Sequence, residues 1–295
     1  MKKILALTLC VLMAIFAFAS CGSDNKAADT AADTKTDTAA DTKTDTAADT
    51  ADDTAFVFDP ATVDGDAKNI VDKGTLVVGI TEFEPMNYMD ENGAWTGFDT
   101  EFAEAVAAVF GVKAEFREIE WDNKWIELES GNIDCVWNGM TITDEVNENS
   151  NCTKAYVINA QVVVAPADKA AEYTDVDSIK DLTFAVESGS AGQEVGTELG
   201  LNVVEYTAQS DAVMAVESGK ANACIIDLTM AKAMTGEGTS YADLGTALSL
   251  SSEEYGIAFR KDSNMTDIVN QIIDSLKADG TLPALAEKYE LTLAD

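Results

Sequence analysis

Short apolar runs bounded by glycine recur along the chain, and polar residues follow each of them. Residues 131–145 begin with a glycine, continue as an apolar run too brief for a buried helix, and end in small and hydroxyl residues. This pattern predicts a strand, a polar elbow and then a helix. In an open α/β sheet such an elbow lies at the carboxyl end of a strand, where ligands bind in the crevice.

The same construction occurs a second time. Residues 129–136 and 217–224 both read as a helix that ends in Glu-Ser-Gly and leads into a buried strand. The first elbow carries Asn138 and Gly139, whereas the second carries an acid, Asp227. Two similar α/β halves, each with its own crevice, predict a ligand held between two lobes.

An aromatic residue follows the first predicted strand of the folded part. This strand ends at Ile80, and Pro85 excludes regular structure soon after it, so Phe83 is expected on a loop at the carboxyl end of the strand. Phe83 is either a platform that stacks on a ligand, with Trp125 or Trp137 opposite, or a core residue that anchors the loop.

An amphipathic helix is predicted after this loop. Asp99 suits its N-cap and Gly111 its end. Capping explains Asp99 without any ligand. The apolar face of the helix is expected to comprise Phe102, Val106, Val109 and Phe110.

The first 54 residues differ in composition from the rest. Residues 1–20 combine two lysines with an apolar run, which is typical of an export signal. Cys21 follows in a sequence that resembles a bacterial lipoprotein cleavage box, so we expect it to carry lipid; an ordinary cleaved signal is the alternative. Residues 21–54 repeat threonine, alanine, aspartate and lysine, which predicts a disordered low-complexity tether.

The chain carries 53 acidic and 19 basic residues and no histidine. This excess of negative charge repels phosphate backbones, so nucleic acid is not an expected partner. Without histidine, an imidazole metal site and a histidine base are excluded. We expect Cys135, Cys152 and Cys224 to be reduced, and a Cys135–Cys152 disulfide is the alternative.

Six motifs follow one another after the tether. They are Gly74–Gly79, Glu84–Met86, Gly97–Asp99, Ser130–Asp134, Gly139–Thr143 and Asp279–Tyr289. In order and spacing they resemble the signature set of the polar amino-acid-binding proteins of ABC importers. The resemblance implies the type II periplasmic-binding-protein fold, an α/β architecture of two Rossmann-like lobes joined by a two-strand hinge. It places lobe one at 55–161 and 253–295 and lobe two at 162–252.

The resemblance also implies a function. It describes a monomeric substrate-binding lipoprotein on the extracellular face of the bacterial membrane, which delivers a small amino-acid-like ligand to an ABC permease. No cofactor and no metal are expected. Because the chain has no convincing nucleophile–base pair, we also expect no enzymatic activity. The alternative is a secreted dehydratase acting on arogenate or prephenate, or a ligand-sensing module, since the same fold supports both.

Nine residues are predicted to contact the ligand. The glycine-rich turn at residues 187–192 precedes a helix, whose exposed amide groups form an anion site. The resemblance identifies this turn with the loop that binds a carboxylate, helped by Thr141 and Asn138. It also matches Asp227 to the acid that binds the α-amino group. The nine are Phe83, Trp125, Trp137, Asn138, Gly139, Thr141, Ser190, Ala191 and Asp227.

One position departs from the family pattern. Val146 stands where these proteins commonly carry an arginine that grips the carboxylate of the ligand with a forked pair of hydrogen bonds. The two arginines of the chain, Arg117 and Arg260, match other positions. We therefore expect a ligand held through a cationic amine at Asp227, an amino acid or short derivative rather than a dicarboxylate such as glutamate.

Overall fold

The computed structural model describes residues 58–295, which form helices packed around a six-stranded and a five-stranded β-sheet, with a third sheet of two short strands. The helices are α1 (Gly65–Lys73), α2 (Phe98–Phe110), α3 (Lys124–Glu129), α4 (Asp144–Asn149), α5 (Ala167–Ala170), α6 (Ala191–Glu198), α7 (Gln209–Glu217), α8 (Leu228–Met234), α9 (Met265–Ala278) and α10 (Thr281–Lys288). None of these helices has the length and apolar character that a membrane crossing needs. The predicted signal peptide (1–20), the lipid-bearing Cys21 and the predicted tether (21–54) lie outside the described residues.

The strands alternate with these helices along the chain. They are β1 (Thr75–Ile80), β2 (Tyr88–Met89), β3 (Trp95–Thr96), β4 (Lys113–Glu118), β5 (Cys135–Thr141), β6 (Asn151–Cys152), β7 (Val157–Asn159), β8 (Gln161–Pro166), β9 (Thr183–Glu187), β10 (Asn202–Tyr206), β11 (Ala223–Asp227), β12 (Leu244–Ser249) and β13 (Glu253–Phe259). This alternation is typical of α/β architectures with largely parallel sheets.

Lobe one contains a six-stranded sheet. Its order is β4-β1-β5-β13-β6, and β7 pairs with β13 as well. Strands β4, β1 and β5 run parallel, whereas β13 runs antiparallel to β5. Every residue of β5 is buried, as expected for a central strand covered on both faces. The carboxyl ends of β1 and β5 therefore lie side by side at one edge of the sheet.

Lobe two contains a five-stranded sheet in the order β10-β9-β11-β8-β12. Strands β10, β9 and β11 are parallel, and β8 is antiparallel to β11 and to β12. Strands β9 and β11 are neighbours and end in Glu187 and Asp227. The topology thus brings two acidic residues to the same edge of this sheet.

The chain crosses between the two sheets twice. Strand β7 ends at Asn159 and β8 begins at Gln161, so a single residue separates strands of different lobes. The return crossing lies between the end of β12 at Ser249 and the start of β13 at Glu253. The predicted fold class, two α/β lobes joined by two strands, is confirmed. The predicted lobe limits stay a prediction, and both crossings fall close to them.

Helix α2 ends at Gly111 with φ of 71°, as predicted. Its N-cap is Gly97, so the prediction of Asp99 as the cap is wrong: Asp99 lies in the first turn and is completely buried. The prediction that Val109 lies on the apolar face of this helix is also wrong, because Val109 is 37% exposed. The buried face includes the small residues Ala103 and Ala107 instead, and their size lets the helix approach the sheet.

Strand β5 is longer than the sequence pattern predicts. It continues through Asn138 and Gly139 to Thr141, and the turn into α4 begins only at Thr143. The predicted elbow at Asn138 and Gly139 is therefore wrong. The strand continues because β13 pairs with it as far as Thr141, while Gly139 takes a φ of +53° that accommodates an irregular step in this pairing.

The cysteines of the described residues are free thiols. Cys135 lies in β5 and Cys224 in β11, both without exposed surface, where cysteine behaves as a small hydrophobe. Cys152 is half-buried in β6 and forms no disulfide with Cys135. Burial raises the pKa of the Cys152 thiol to about 12, which disfavours the reactive thiolate.

Candidate functional site

A small cavity of about 30 Å³ lies between the carboxyl edges of the two sheets. It has room for about two water molecules. Lobe one lines it with Phe83, Trp121, Lys124, Asn138, Gly139, Met140, Thr141, Thr143, Glu145 and Val146. Lobe two lines it with Glu187, Gly189, Ser190, Ala191, Glu194, Gln209 and Asp227. Both lobes thus contribute to one site.

The lobes touch directly at the rim of this cavity. Lys124 Nζ donates a hydrogen bond of 2.9 Å to the carbonyl oxygen of Gly189. Gly189 also packs closely on Asp122, because a Cβ added to this glycine would lie 3.0 Å from the Asp122 Cα. The lobes are therefore closed, and an amino-acid-sized ligand can enter only when they separate.

Asp227 is an acid buried at the carboxyl end of β11. Its Oδ1 accepts hydrogen bonds from Asn159 Nδ2 at 2.5 Å and Tyr255 Oη at 2.7 Å, and its Oδ2 accepts one from Gln209 Nε2 at 2.5 Å. Burial, with a further contribution from the negative charge of Glu253, raises the pKa of Asp227 to about 7. A cationic ligand group beside Asp227 would favour its charged form.

Glu187 is the second acid at this edge of lobe two, and its role was not predicted from the sequence. It is 3% exposed, and its Oε1 has no hydrogen-bond partner. Burial, followed by the negative charge of Asp227, raises the pKa of Glu187 to about 8. Glu187 has the same sequence feature that predicted Asp227, which is an acid directly at the end of a buried strand.

Lys124 is the basic residue of the cavity, and the sequence reasoning missed it as well. It is 3% exposed, and Nζ lies 5.2 Å from the ring centroids of both Trp121 and Trp125. Burial lowers the pKa of its ammonium group, an effect that the nearby carboxylates of Glu145 and Glu187 oppose. The two indoles hold the cation at the entrance to the cavity.

The start of helix α6 supplies hydrogen-bond donors from lobe two. Ser190 is the N-cap, and its Oγ accepts a hydrogen bond of 3.2 Å from the amide of Gln193. The Gly189 amide is already engaged, since it donates to the Gln193 side chain at 2.7 Å. The amides of Ala191 and Gly192 stand in the first turn, where no carbonyl of the helix can accept from them.

Asn138 lies at the cavity, but the oxygen and the nitrogen of its side chain are both already hydrogen-bonded, to Thr81 and Asn87. Its Oδ1 accepts from the Thr81 amide at 3.0 Å and from the Thr81 hydroxyl at 2.8 Å. Its Nδ2 donates to the Thr81 carbonyl at 2.9 Å and to Asn87 Oδ1 at 2.8 Å. Asn138 therefore fixes the loop that carries Phe83, and any help it gives to a ligand is indirect.

Phe83 and Gly139 are packed against each other. A Cβ at Gly139 would lie 2.7 Å from the ring of Phe83, so only glycine fits here. Phe83 is 3% exposed and meets Tyr255 edge-on, with ring centroids 6.5 Å apart. The Gly139 amide donates to Asp99 Oδ2 at 2.6 Å. Phe83 thus lines the cavity and also packs as a core residue.

The two predicted partner aromatics do not line the cavity. Trp137 is completely buried in lobe one and meets Phe102 edge-on at 4.8 Å, because its strand directs it toward helix α2. Trp125 lies on the outer side of Lys124, and its Nε1 donates to Glu145 Oε1 at 2.6 Å. Trp121 lines the cavity in their place.

Glu253 connects the cavity with the hinge. Its Oε1 accepts hydrogen bonds from Thr141 Oγ1 at 2.8 Å, Asn159 Nδ2 at 2.6 Å and Gln161 Nε2 at 2.8 Å. These donors lie on β5, β7 and β8, and Glu253 itself begins β13. One carboxylate therefore joins both crossings, and Asn159 donates from the same nitrogen to Asp227.

The arginine of the family pattern has no direct replacement. Val146 is buried and lines the cavity. Arg260 pairs with Asp66 and donates to the carbonyl of Ile133, and Arg117 pairs with Glu115, so neither reaches the cavity. In the part of the chain that the structure describes, no group of acids and cysteines is arranged to hold a metal ion.

Two α/β lobes that close on a polar cavity define a ligand-binding protein of the two-lobed solute-binding class. The chain belongs to the bacterial extracellular solute-binding proteins, family 3, which it matches over residues 76–292.

Comparison with individual proteins agrees. The chain is 27% identical over 241 residues to the L-cystine-binding protein TcyJ of Escherichia coli (strain K12), covering 77% of this chain and 86% of that one. It is 31% identical to a mutant of ArgBP from T. maritima, with a TM-score of 0.71 over 76% of this chain and 99% of that one. ArgBP has also been solved in an arginine-bound form.

A third comparison bears on the enzymatic alternative. The ancestral amino acid-binding protein AncCDT-1, a precursor of cyclohexadienyl dehydratase, is 29% identical, with a TM-score of 0.69 over 77% of this chain and 99% of that one. Even this relative is described as a binding protein. The chain is thus a substrate-binding protein of the amino-acid uptake class served by ABC transporters.

Proposed function

We propose that this protein captures a small amino-acid-like ligand through a cationic amine held by Asp227. The observation that carries the proposal is the placement of this acid, 4% exposed, at the wall of the closed cavity. Three neutral donors orient its carboxylate, and a positively charged amine is a stronger partner for it than any of them.

The carboxylate of the ligand would bind to other groups of the cavity lining. Lys124 supplies a positive charge, and the hydroxyl of Ser190 and the amide of Ala191 supply further donors. This arrangement takes the role that the missing arginine at Val146 has in the family pattern. A second carboxylate on the ligand would face Glu145, Glu187 or Glu194, which disfavours glutamate and aspartate.

A ligand screen tests this proposal. Amino acids, amines and small peptides are tested by thermal shift and calorimetry on protein that has been unfolded and refolded to strip any carried-over ligand. Asp227→Asn should weaken binding of the best ligand by about 10- to 100-fold, whereas Asp243→Asn, an exposed acid of lobe two, should not. Tight binding of glutamate, or an Asp227→Asn variant equal to the parent, would contradict the proposal.

We further propose that the protein binds and releases its ligand without transforming it. The hydroxyls of the cavity serve structural hydrogen bonds: those of Ser190 and Thr143 cap helices, and that of Thr141 donates to Glu253, whose carboxylate also holds the hinge. A sensitive assay for turnover of arogenate and prephenate by the purified protein checks this. Product formation that Asp227→Asn or Glu187→Gln abolishes would establish the dehydratase alternative.

The last part of the proposal concerns the cellular location of the protein and its partner. The family is extracellular, and the cleavage box at Cys21 supports anchoring by lipid on the outer face of the cytoplasmic membrane. From there a monomer would deliver its ligand to an ABC permease. Metabolic labelling with a radioactive fatty acid, with Cys21→Ser as the control, tests the anchor: label that persists in the variant would refute it.

A further inference from the structure

Glu187 holds an unused hydrogen-bond acceptor at the cavity. Four buried side-chain atoms within residues 58–295 lack a hydrogen-bond partner, and Glu187 Oε1 is the one whose residue lines the cavity. Leaving a buried carboxylate oxygen without a donor is costly, so native proteins rarely do it without a reason. The simplest reason here is that the donor arrives with the ligand.

The charges around the cavity specify the kind of donor. Its lining carries four carboxylates, those of Glu145, Glu187, Glu194 and Asp227, against the single ammonium of Lys124. A ligand with one ammonium and one carboxylate is neutral and leaves this excess unchanged. A ligand with a second cationic group reduces the excess by one charge and supplies strong N–H donors.

The neighbouring acid does not meet this need. Asp227 and Glu187 end adjacent parallel strands, and the negative charge of Asp227 acts on Glu187. Asp227 has three donors, whereas Oε1 of Glu187 has none. Lys124 makes no ion pair with Glu187 in the described structure, where its Nζ bonds to Gly189 instead. Each of the two acids therefore disfavours the charged form of the other, and both become fully charged only when positive charge is placed beside them.

We infer that Glu187 is a specificity-determining residue whose carboxylate binds a second positively charged nitrogen of the ligand, so that the protein selects small amino-acid-like ligands with two cationic groups. This inference rests on the proposed function, in which the first cationic group is bound by Asp227. In this inference Asp227 provides affinity for any amine, and Glu187 discriminates between ligands with one and with two cationic groups.

Calorimetry on matched ligand pairs tests the inference. Arginine and lysine carry two cationic nitrogens and one carboxylate, and citrulline and norleucine are their analogues with one cationic nitrogen. The refolded full chain should bind arginine or lysine about 10- to 100-fold more tightly than its analogue. Equal affinities within every pair would overturn the inference without any variant being needed.

Glu187→Gln locates the effect. This isosteric change should remove most of the preference within the pair, by lowering the affinity for the two-cation ligand while leaving its analogue nearly unchanged. Glu198→Gln removes the same charge from the exposed side of helix α6, outside the cavity, and should keep the preference. An equal loss for both members of a pair would show that Glu187 binds the α-amine or acts structurally, and would overturn the inference.

The outcomes separate the inference from the function on which it rests. Binding of one-cation amino acids that depends on Asp227, with no preference for a second cation, would refute the role of Glu187 and leave the proposed function standing. If no amino acid or amine binds the refolded wild-type protein, both are refuted.

Discussion

The ammonium of Lys124 in lobe one bonds to the carbonyl oxygen of Gly189 in lobe two, 2.9 Å away across the mouth of the cavity. This contact engages one of the three N–H groups of Lys124 and leaves two for other partners. It also joins a buried cation, which the family pattern does not supply, to the start of helix α6, which the pattern identifies with the carboxylate-binding loop. Lys124 is therefore placed to serve both closure and ligand binding.

Lys124→Met should lower the affinity for a carboxylated ligand by about 1.5–3 kcal/mol, because a charged hydrogen bond is lost. A decarboxylated analogue such as agmatine, compared with arginine, should lose much less. Titration calorimetry of both ligands measures the difference. Lys180→Met, at an exposed ion pair of lobe two, is the control. Equal losses for both ligands would show that Lys124 contributes to closure alone.

Phe83 has two roles that different substitutions separate. Because it is 3% exposed, Phe83→Ala should lower the free energy of unfolding by about 3–5 kcal/mol. Phe83→Leu should keep most of the packing and weaken ligand binding by about 0.5–1.5 kcal/mol if the ring stacks on the ligand. Urea unfolding and calorimetry measure the two quantities. Phe98→Leu, in the core of lobe one, is the control and should lower stability without changing affinity. If Phe83→Leu also leaves affinity unchanged, Phe83 is a core residue and does not stack on the ligand.

Asp99 makes stability depend on pH. Burial raises its pKa to about 7, against hydrogen bonds from Gly139 and Tyr156 that lower it, whereas an unfolded aspartate has a pKa of about 3.9. Between these two pKa values the folded state binds more protons than the unfolded state. Asp99 therefore makes its full contribution to the free energy of unfolding below about pH 4, and this contribution is lost as the pH rises through 7.

Thermal unfolding of ligand-free protein at pH 5 and pH 8 measures this contribution. The wild type should be less stable at pH 8, and Asp99→Asn, which cannot ionise, should show a smaller drop between the two values. Asp227 and Glu187 remain in both proteins, so the difference between the slopes reports Asp99. Identical slopes would mean that Asp99 keeps one protonation state over this range.

Removing residues 22–54 should change neither the melting temperature nor the affinity. The segment has no large apolar side chain with which to contact the folded part. Differential scanning calorimetry of the full and shortened chains decides the matter. A shortened chain that melts several degrees lower would mean that the segment packs on the folded part.

Much of the fold follows from the sequence, because glycines and apolar runs act locally. The end of α2 at Gly111 and the placement of Asp227 at the end of β11 needed only these signals. The length of β5 did not follow from them, since β13, more than 100 residues later, pairs with Met140 and Thr141 and continues the strand past the irregular step at Gly139. Pairing between distant strands overrode the local turn signal of Gly139.

The site was predicted less completely, because side-chain direction is a tertiary property. Trp137 and Trp121 are both aromatic and close in sequence to the first crevice, yet the first points into the core and the second to the cavity. Lys124 reads as an ordinary exposed lysine until its two indole neighbours are seen. Glu187 belongs to the glycine-rich turn in the sequence, and its burial at the cavity is seen only in the structure.

The side chain of Asn159 donates from one nitrogen to two carboxylates, Asp227 at the cavity and Glu253 at the hinge. A ligand amine that bonds to Oδ1 of Asp227 competes with Asn159 for that oxygen. Any turn of the Asn159 amide then changes the hydrogen bonding of Glu253, which holds both crossings. Because the acid of the cavity and the acid of the hinge share this one donor, a ligand amine bound to Asp227 would act on the hinge through a single side chain.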